Sequence, residues 1–327
     1  MAIHQPPQPA DLVLSAAWVV PVVPGGAVYE NCACVIRDGR ILALLPRAEA
    51  ARRYHAAETL HLPDHLLMPG LVNAHGHAAM TLLRGLADDL PLQPWLEGHI
   101  WPAEARWLGA DFVADGTRLA IAEMIASGTT CFADMYFFPE TVAAVARHCG
   151  IRAQIAFPIL DFATPWAATA EECLHQGLAL YDQTRDDPLL RIAFGPHAPY
   201  TVSDDTFRRL AIYAGEVDAA IHIHLHETAR EIADSLAIHG ERPIARLHRH
   251  GLLGPATQCV HFTQFADGDL DLLATTGARV VHCPRSNLKL ASGYCDVARL
   301  RAAGVPVALG SDGAASSNDL DLFTELR

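Results

Sequence analysis

The stretch Leu66-Leu-Met-Pro-Gly-Leu-Val-Asn-Ala-His-Gly-His77 decides how this chain reads. Its Leu- and Val-rich run predicts a buried strand. Residues i and i+2 of a strand point to the same side, so His75 and His77 are expected to converge on one point. Neutral imidazole is the commonest ligand for a divalent transition metal, and Gly76 between the two lets an ion or substrate approach the backbone. Alone, the pair is half of a metal site and also fits two satisfied core histidines. The rest of the chain separates these readings.

From Leu66 onward, short apolar runs alternate with longer segments of helical period, which predicts βα units and a parallel sheet. Eight candidate strands end near Asn73, Asp134, Pro158, Pro196, His224, His261, His282 and Ser311. Residues 111–127 predict one of the helices, with Phe112, Leu119, Ile121, Met124 and Ile125 as its apolar positions and Gly128 as its stop. Eight such units make a (β/α)8 TIM barrel in the α/β class, and in that fold the C-terminal strand ends converge on one active-site mouth. Those ends carry His75, His77, His197, His224, His261, His282 and Asp312, a set that packing alone does not require.

The first 65 residues read differently. Strands are predicted over 12–23, 33–37 and 41–45, the last two joined at Asp38-Gly39, a strong two-residue hairpin signal. The expected organisation is an N-terminal part of a small β-sandwich over 1–65 and a metal-dependent hydrolase barrel over 66–327. Residues 322–327 have the pattern of a helix without a cap, so the sandwich is expected to be completed by chain beyond 327.

Composition narrows the function. Of 327 residues, 51% are hydrophobic, enough for a large core, and the net charge of -13 argues against a nucleic-acid partner. The eight cysteines form no Cys-x-x-Cys pair and suit a reduced cytoplasmic protein. No secretory signal is recognisable, and the apolar stretch 16–28 is broken by Pro21, Pro24, Gly25 and Gly26, so no membrane span is expected. A homo-oligomer is compatible with this composition.

Taken together, His75, His77, one histidine of the triplet His222, His224 and His226, and Asp312 would supply three imidazoles and one carboxylate. That set suits Zn²⁺ first and Fe²⁺ second, with a position left for water. Periodicity puts all three triplet histidines on one strand face and does not choose between them. Glu227 is placed to carry protons, and His261 to hydrogen-bond an attacking hydroxide or a developing oxyanion. Lys289 is the only lysine, so no lysine is available on an early strand to bridge two metals, and one divalent metal per chain is expected, with a pair bridged by Glu or Cys as the lesser alternative.

The segments Met68-Pro-Gly-Leu-Val-Asn-Ala-His-Gly-His77, Trp101-Pro-Ala-Glu104, Gly195-Pro-His-Ala-Pro-Tyr-Thr201, His224-Leu-His-Glu227, Ser286-Asn-Leu-Lys-Leu290 and Leu309-Gly-Ser-Asp-Gly-Ala-Ala-Ser316 together resemble the amidohydrolase superfamily. Within it the chain is similar to the 5-methylthioadenosine/S-adenosylhomocysteine deaminases. The resemblance implies His75, His77, His224 and Asp312 as metal ligands, Glu227, His261 and Asp312 as catalytic groups, and Glu104, His197, Trp95 and His282 as residues that meet the substrate. It implies hydrolytic deamination at C6 of an adenine nucleoside by a metal-activated hydroxide, releasing ammonia. A competing reading keeps the barrel and metal but changes the ring: guanine, cytosine or 8-oxopurine deamination, or triazine dechlorination. A metal-free scaffold relative would have lost at least one ligand, and none is lost.

Overall fold

The computed structural model describes residues 6–327, in two compact units that divide between Gly70 and Leu71. The smaller unit is a five-stranded sheet. Strand β1 (Gln8–Val19) pairs antiparallel with β2 (Tyr29–Glu30) and β3 (Cys32–Arg37), and β3 pairs antiparallel with β4 (Arg40–Pro46). After the short helix Arg47–Arg53, β5 (Tyr54–Leu67) returns parallel to β1. Asp38 and Gly39 both have positive φ, 50° and 69°, which is the turn that a two-residue hairpin requires. Strand β1 stops at Val19 instead of running to residue 23, because the prolines and glycines from Pro21 onward cannot keep up a ladder. The long, largely exposed β5 was not legible. The core of this unit is Ala10, Val13, Ala33, Val35, Leu45 and Ala50.

The larger unit is a parallel eight-stranded sheet in which each strand pairs with the next in sequence. Its strands are β6 (Leu71–Asn73), β7 (Thr129–Asp134), β8 (Arg152–Ile159), β9 (Leu190–Pro196), β10 (Ile221–Leu225), β11 (Thr257–His261), β12 (Arg279–His282) and β13 (Val307–Leu309). Ala74 N donates to Leu309 O at 2.9 Å, and Asp312 N donates to His75 O at 3.0 Å, joining the first strand to the last. The result is the expected (β/α)8 barrel.

Two expectations are corrected in detail. The stretch 66–77 is not one strand. Leu66 and Leu67 end β5, Pro69-Gly70 breaks the chain, and the barrel strand is only Leu71–Asn73, so His75 and His77 lie beyond it. The helix observed at Ala110–Ala126 buries Val113, Gly116, Thr117, Ala120, Ile121 and Met124, while Leu119 and Ile125 are exposed. Gly116 on its inner face cannot be larger, because a Cβ there would lie 2.5 Å from the carbonyl oxygen of Ala79, in the segment that follows His77. Close approach at Gly116, beside the apolar contacts of Val113, Ile121 and Met124, seats this helix against the segment that follows His77.

Candidate active site

The predicted strand ends converge. The Nε2 atoms of His75 and His224 are 3.3 Å apart, and Asp312 Oδ1 lies 3.3 Å from His75 Nε2 and 3.1 Å from His77 Nε2. Ligand atoms of a tetrahedral zinc with bonds of about 2.0–2.1 Å are separated by roughly 3.3 Å. Asp312 Oδ1 is buried and has no hydrogen-bond partner of its own, whereas Oδ2 accepts from Ser286 Oγ at 2.5 Å and Ser316 Oγ at 2.9 Å. One carboxylate oxygen is thus pinned and the other is left facing the imidazoles of His75 and His77. A divalent cation fits this donor set.

The other ring nitrogens fix two of the histidines. His77 Nδ1 donates to Met135 O at 2.5 Å and His224 Nδ1 to His197 O at 2.7 Å, leaving each Nε2 free toward the cluster. Burial holds His75 and His224 well below the usual imidazole range, in the neutral form that ligation needs. Burial would lower His77 too, but the Asp312 carboxylate beside it outweighs this and raises it to about 9. Asp312 is pulled the other way: burial favours its neutral form, and His75 and His77 draw it well below the carboxylate range. A proton on His77 and a divalent cation would therefore compete for the same carboxylate.

The strand ends around the site use unusual backbone. His226, His261, Phe262 and Asp312 have φ of 56°, 74°, 48° and 59°, a region few non-glycine residues occupy. Strain of this kind gathers at functional sites. His261 pairs in register with the outward Leu225, so regular alternation would turn it away; instead it faces the cavity. Gly310 makes the crossing at the seam possible, since a Cβ there would lie 2.8 Å from His75 Cβ and 2.9 Å from its backbone nitrogen. A Cβ on Gly76, by contrast, would meet Asp312 O at 3.4 Å and Ala133 O at 3.6 Å. The backbone of Gly76 therefore lies close to the carbonyls of Asp312 and Ala133.

The triplet on β10 does not share one face, contrary to expectation. His222 and His224 point into the barrel. His226, past the strand end, turns back to stack on Phe262 with ring centroids 5.0 Å apart, and its Nε2 accepts from Ile244 N at 3.1 Å. His282 is also not in the site. Gln258 faces inward to His222, so Val260 and its register partner Val281 face inward, and the next residue, His282, faces out. It is absent from the cavity wall.

That cavity, of about 310 Å³, is lined by His77, His224, Asp312, Glu227 and His261, with Trp95, Glu104 and His197 around it. Glu227 is buried, 3.7 Å from His261 Nε2, and its Oε1 accepts from Ser292 Oγ at 3.0 Å. Burial raises its carboxyl pKa. His261 Nδ1 donates to Asn287 Oδ1 at 2.8 Å, turning Nε2 to the cavity as an acceptor. Glu104, on the helix Trp101–Trp107, is buried; its pKa is raised by burial, and its Oε1 accepts from Tyr136 OH at 2.7 Å. Burial lowers His197 to about 4. Tyr136, Leu160, Phe162 and Tyr200 also line the wall and were not foreseen; Tyr136 is only two residues beyond the strand end at Asp134, the position that marks the others. Lys289, whose neighbour Leu290 lines the cavity, is held by Asp88 at 2.7 Å, Asn318 Oδ1 at 2.6 Å and Ala315 O at 3.1 Å.

Residues 66–327 match the amidohydrolase family. A Saccharophagus degradans protein named 5-methylthioadenosine/S-adenosylhomocysteine deaminase is 57% identical over 318 residues, covering 97% of this chain and 71% of that protein. A Methanothermobacter thermautotrophicus protein named 5'-deoxyadenosine deaminase is 45% identical over 262 residues, covering 80% of this chain and 61% of that protein. The crystal structure of an adenosine deaminase from Xanthomonas campestris, with bound zinc, superposes with a TM-score of 0.96 at 52% identity and covers 98% of this chain and 73% of that one. With its barrel and strand-end histidines already in place, the chain belongs to the amidohydrolase family.

Proposed function

We propose that this protein is a metal-dependent aminohydrolase that deaminates C6 of the adenine ring in 5'-methylthioadenosine and S-adenosylhomocysteine. The observation that carries this is one cavity lined by His77, His224 and Asp312 of the cluster that includes His75, with Glu227 and His261 beside the cluster and the buried Glu104 elsewhere on the wall. The names of the three similar proteins given above, each a deaminase of an adenine nucleoside, support the choice of ring.

His75, His77, His224 and Asp312 would hold one Zn²⁺ per chain; bound there, it would lower the pKa of a water to about 7 and make a nucleophile available at neutral pH. His261 orients that water, because its Nε2 can only accept while Nδ1 donates to Asn287. Glu227 holds its proton to higher pH than a solvated glutamate and delivers it to N1, which draws electrons from C6. Asp312 Oδ1 takes one proton of the water and passes it to the departing amino group, and the remaining proton on the C6 oxygen returns to Glu227 as the C6–N bond breaks, so that water and the adenine ring become the 6-oxo ring and NH₃. Glu104, braced by Tyr136, accepts from the ribose hydroxyls. His197 and Trp95 complete the wall around the nucleoside, and Leu160 and Phe162 offer apolar surface to a thioether substituent.

Ammonia release from metal-replete protein, measured on methylthioadenosine, S-adenosylhomocysteine, adenosine, adenine, guanine and cytosine, tests the reading. The nucleosides should be turned over and the free bases should be poor. Preference for guanine or cytosine would replace it with the alternative ring chemistry.

A further inference from the structure

Behind the proposed ligand cluster runs a line of polar side chains, half-buried at its Gln154–Gln258 end and fully buried at His222 and His75, that links three strands to the segment following β6. Gln154 on β8 and Gln258 on β11 exchange amide hydrogen bonds: Gln154 Nε2 donates to Gln258 Oε1 at 2.8 Å, and Gln258 Nε2 donates to Gln154 Oε1 at 3.1 Å. Gln258 Oε1 also lies 2.5 Å from His222 Nδ1, and His222 Nε2 lies 2.7 Å from His75 Nδ1. The His75 and His222 rings are fully buried and near parallel, with centroids 5.0 Å apart.

His75 is the exception among the three cluster histidines. Nδ1 of His77 and of His224 faces a backbone carbonyl, which can only accept, so their tautomers are settled locally. Nδ1 of His75 faces another imidazole, which can accept or donate. The line therefore has two self-consistent proton arrangements. In the one matching the amide orientations, Gln258 Oε1 accepts from His222 Nδ1, His222 Nε2 accepts from His75 Nδ1, and His75 Nε2 is left bare toward His224 and Asp312. In the other, every bond is reversed and His75 Nε2 carries a hydrogen into the cluster, where it would block a ligand position.

We propose that His222, seated on the Gln258–Gln154 pair, is a positioning residue that keeps Nε2 of His75 bare and so sets the affinity of the cluster for a divalent cation. The inference rests on the reading of His75 as a ligand. It gives a reason for a histidine inside the barrel that makes no contact with the cavity. Such partners of ligating histidines are worth about 10–100-fold in metal affinity.

The test is zinc affinity, measured on chelator-stripped protein by competition with a chromogenic chelator, alongside thermal melting of the stripped protein. His222→Leu should bind zinc about 10–100-fold more weakly than wild type. His222→Gln places an amide oxygen where it can accept from His75 Nδ1 and should recover most of that loss. Gln258→Leu, which removes the acceptor that orients His222, should weaken binding in the same direction and serves if His222→Leu does not fold. Wild-type affinity in both leucine variants overturns the inference while leaving the metal centre standing. Equal loss in His222→Leu and His222→Gln overturns it in favour of simple packing. Wild-type protein that takes up no zinc overturns the metal-centre reading itself, and this inference with it.

Discussion

Asn73 and Ser311 lock the two ends of the barrel to each other. Asn73 Oδ1 accepts from Ser311 N at 2.9 Å, and Asn73 Nδ2 donates to Ser311 Oγ at 2.7 Å, across 238 residues of sequence. Both residues are buried. Because His75 follows one and Asp312 the other, this amide sets the spacing of two proposed ligands. Asn73→Ala leaves a buried N–H unpaired and removes a second bond, at a cost of about 2–4 kcal/mol in unfolding free energy. Denaturant titration checks this, and an unchanged midpoint would show that the seam is held elsewhere.

Glu227→Gln keeps the shape of the side chain and its bond from Ser292 but removes the proton that must reach N1. We expect kcat to fall on the order of 10²- to 10⁴-fold, with metal content unchanged. Steady-state kinetics and elemental analysis on one preparation decide the matter: loss of metal would make Glu227 a ligand, and near-normal kcat would end its role as proton carrier.

Glu104→Ala should lower kcat/KM for methylthioadenosine by about 10²-fold or more, because two hydrogen bonds to a buried carboxylate are lost. A 2',3'-dideoxy analogue should lose far less. Tyr136→Phe keeps the carboxylate and removes only its brace, so its effect should fall between wild type and Glu104→Ala. Equal losses on both substrates would remove Glu104 from the ribose.

Asp204 gives a pH prediction. Its carboxylate meets Arg246 Nε at 2.6 Å and Arg249 Nη2 at 3.1 Å, and the Arg246 side chain is 2% exposed. Burial would raise the Asp204 pKa, but the two guanidinium groups hold it below the ordinary value of 3.8. A depressed folded-state pKa contributes stability above 3.8 that is lost as pH falls below it. Asp204→Asn should therefore be less stable than wild type at neutral pH, with the gap closing as pH drops below about 4. Thermal melts of both proteins from pH 3 to 7 would show this; a gap independent of pH would assign the loss to packing.

The legible part of the fold was its periodicity. Strand ends at Asn73, Asp134, Pro196, His261 and His282 fall where apolar runs stop, and the helix at Ala110–Ala126 starts within one residue of its pattern. What sequence could not show is where the chain leaves regular geometry. The alternation rule fails at His226 and His261, where positive φ re-aims the side chain, and it was not applied at His282, where it holds and turns the ring outward. On that helix the apolar pattern found Ile121 and Met124 but also took the exposed Leu119 and Ile125, and it could not mark Gly116, whose contact with Ala79 admits no side chain.

The single lysine has a consequence outside catalysis. Lys289 Nζ is held by a carboxylate, an amide oxygen and a carbonyl, and its side chain is 11% exposed. The side chains of this chain therefore present almost no free amine to acylating, formylating or glycating reagents. Coupling to a resin or dye through amine chemistry should spare the folded surface, and a Lys substituted at any exposed Arg would become the preferred side-chain handle.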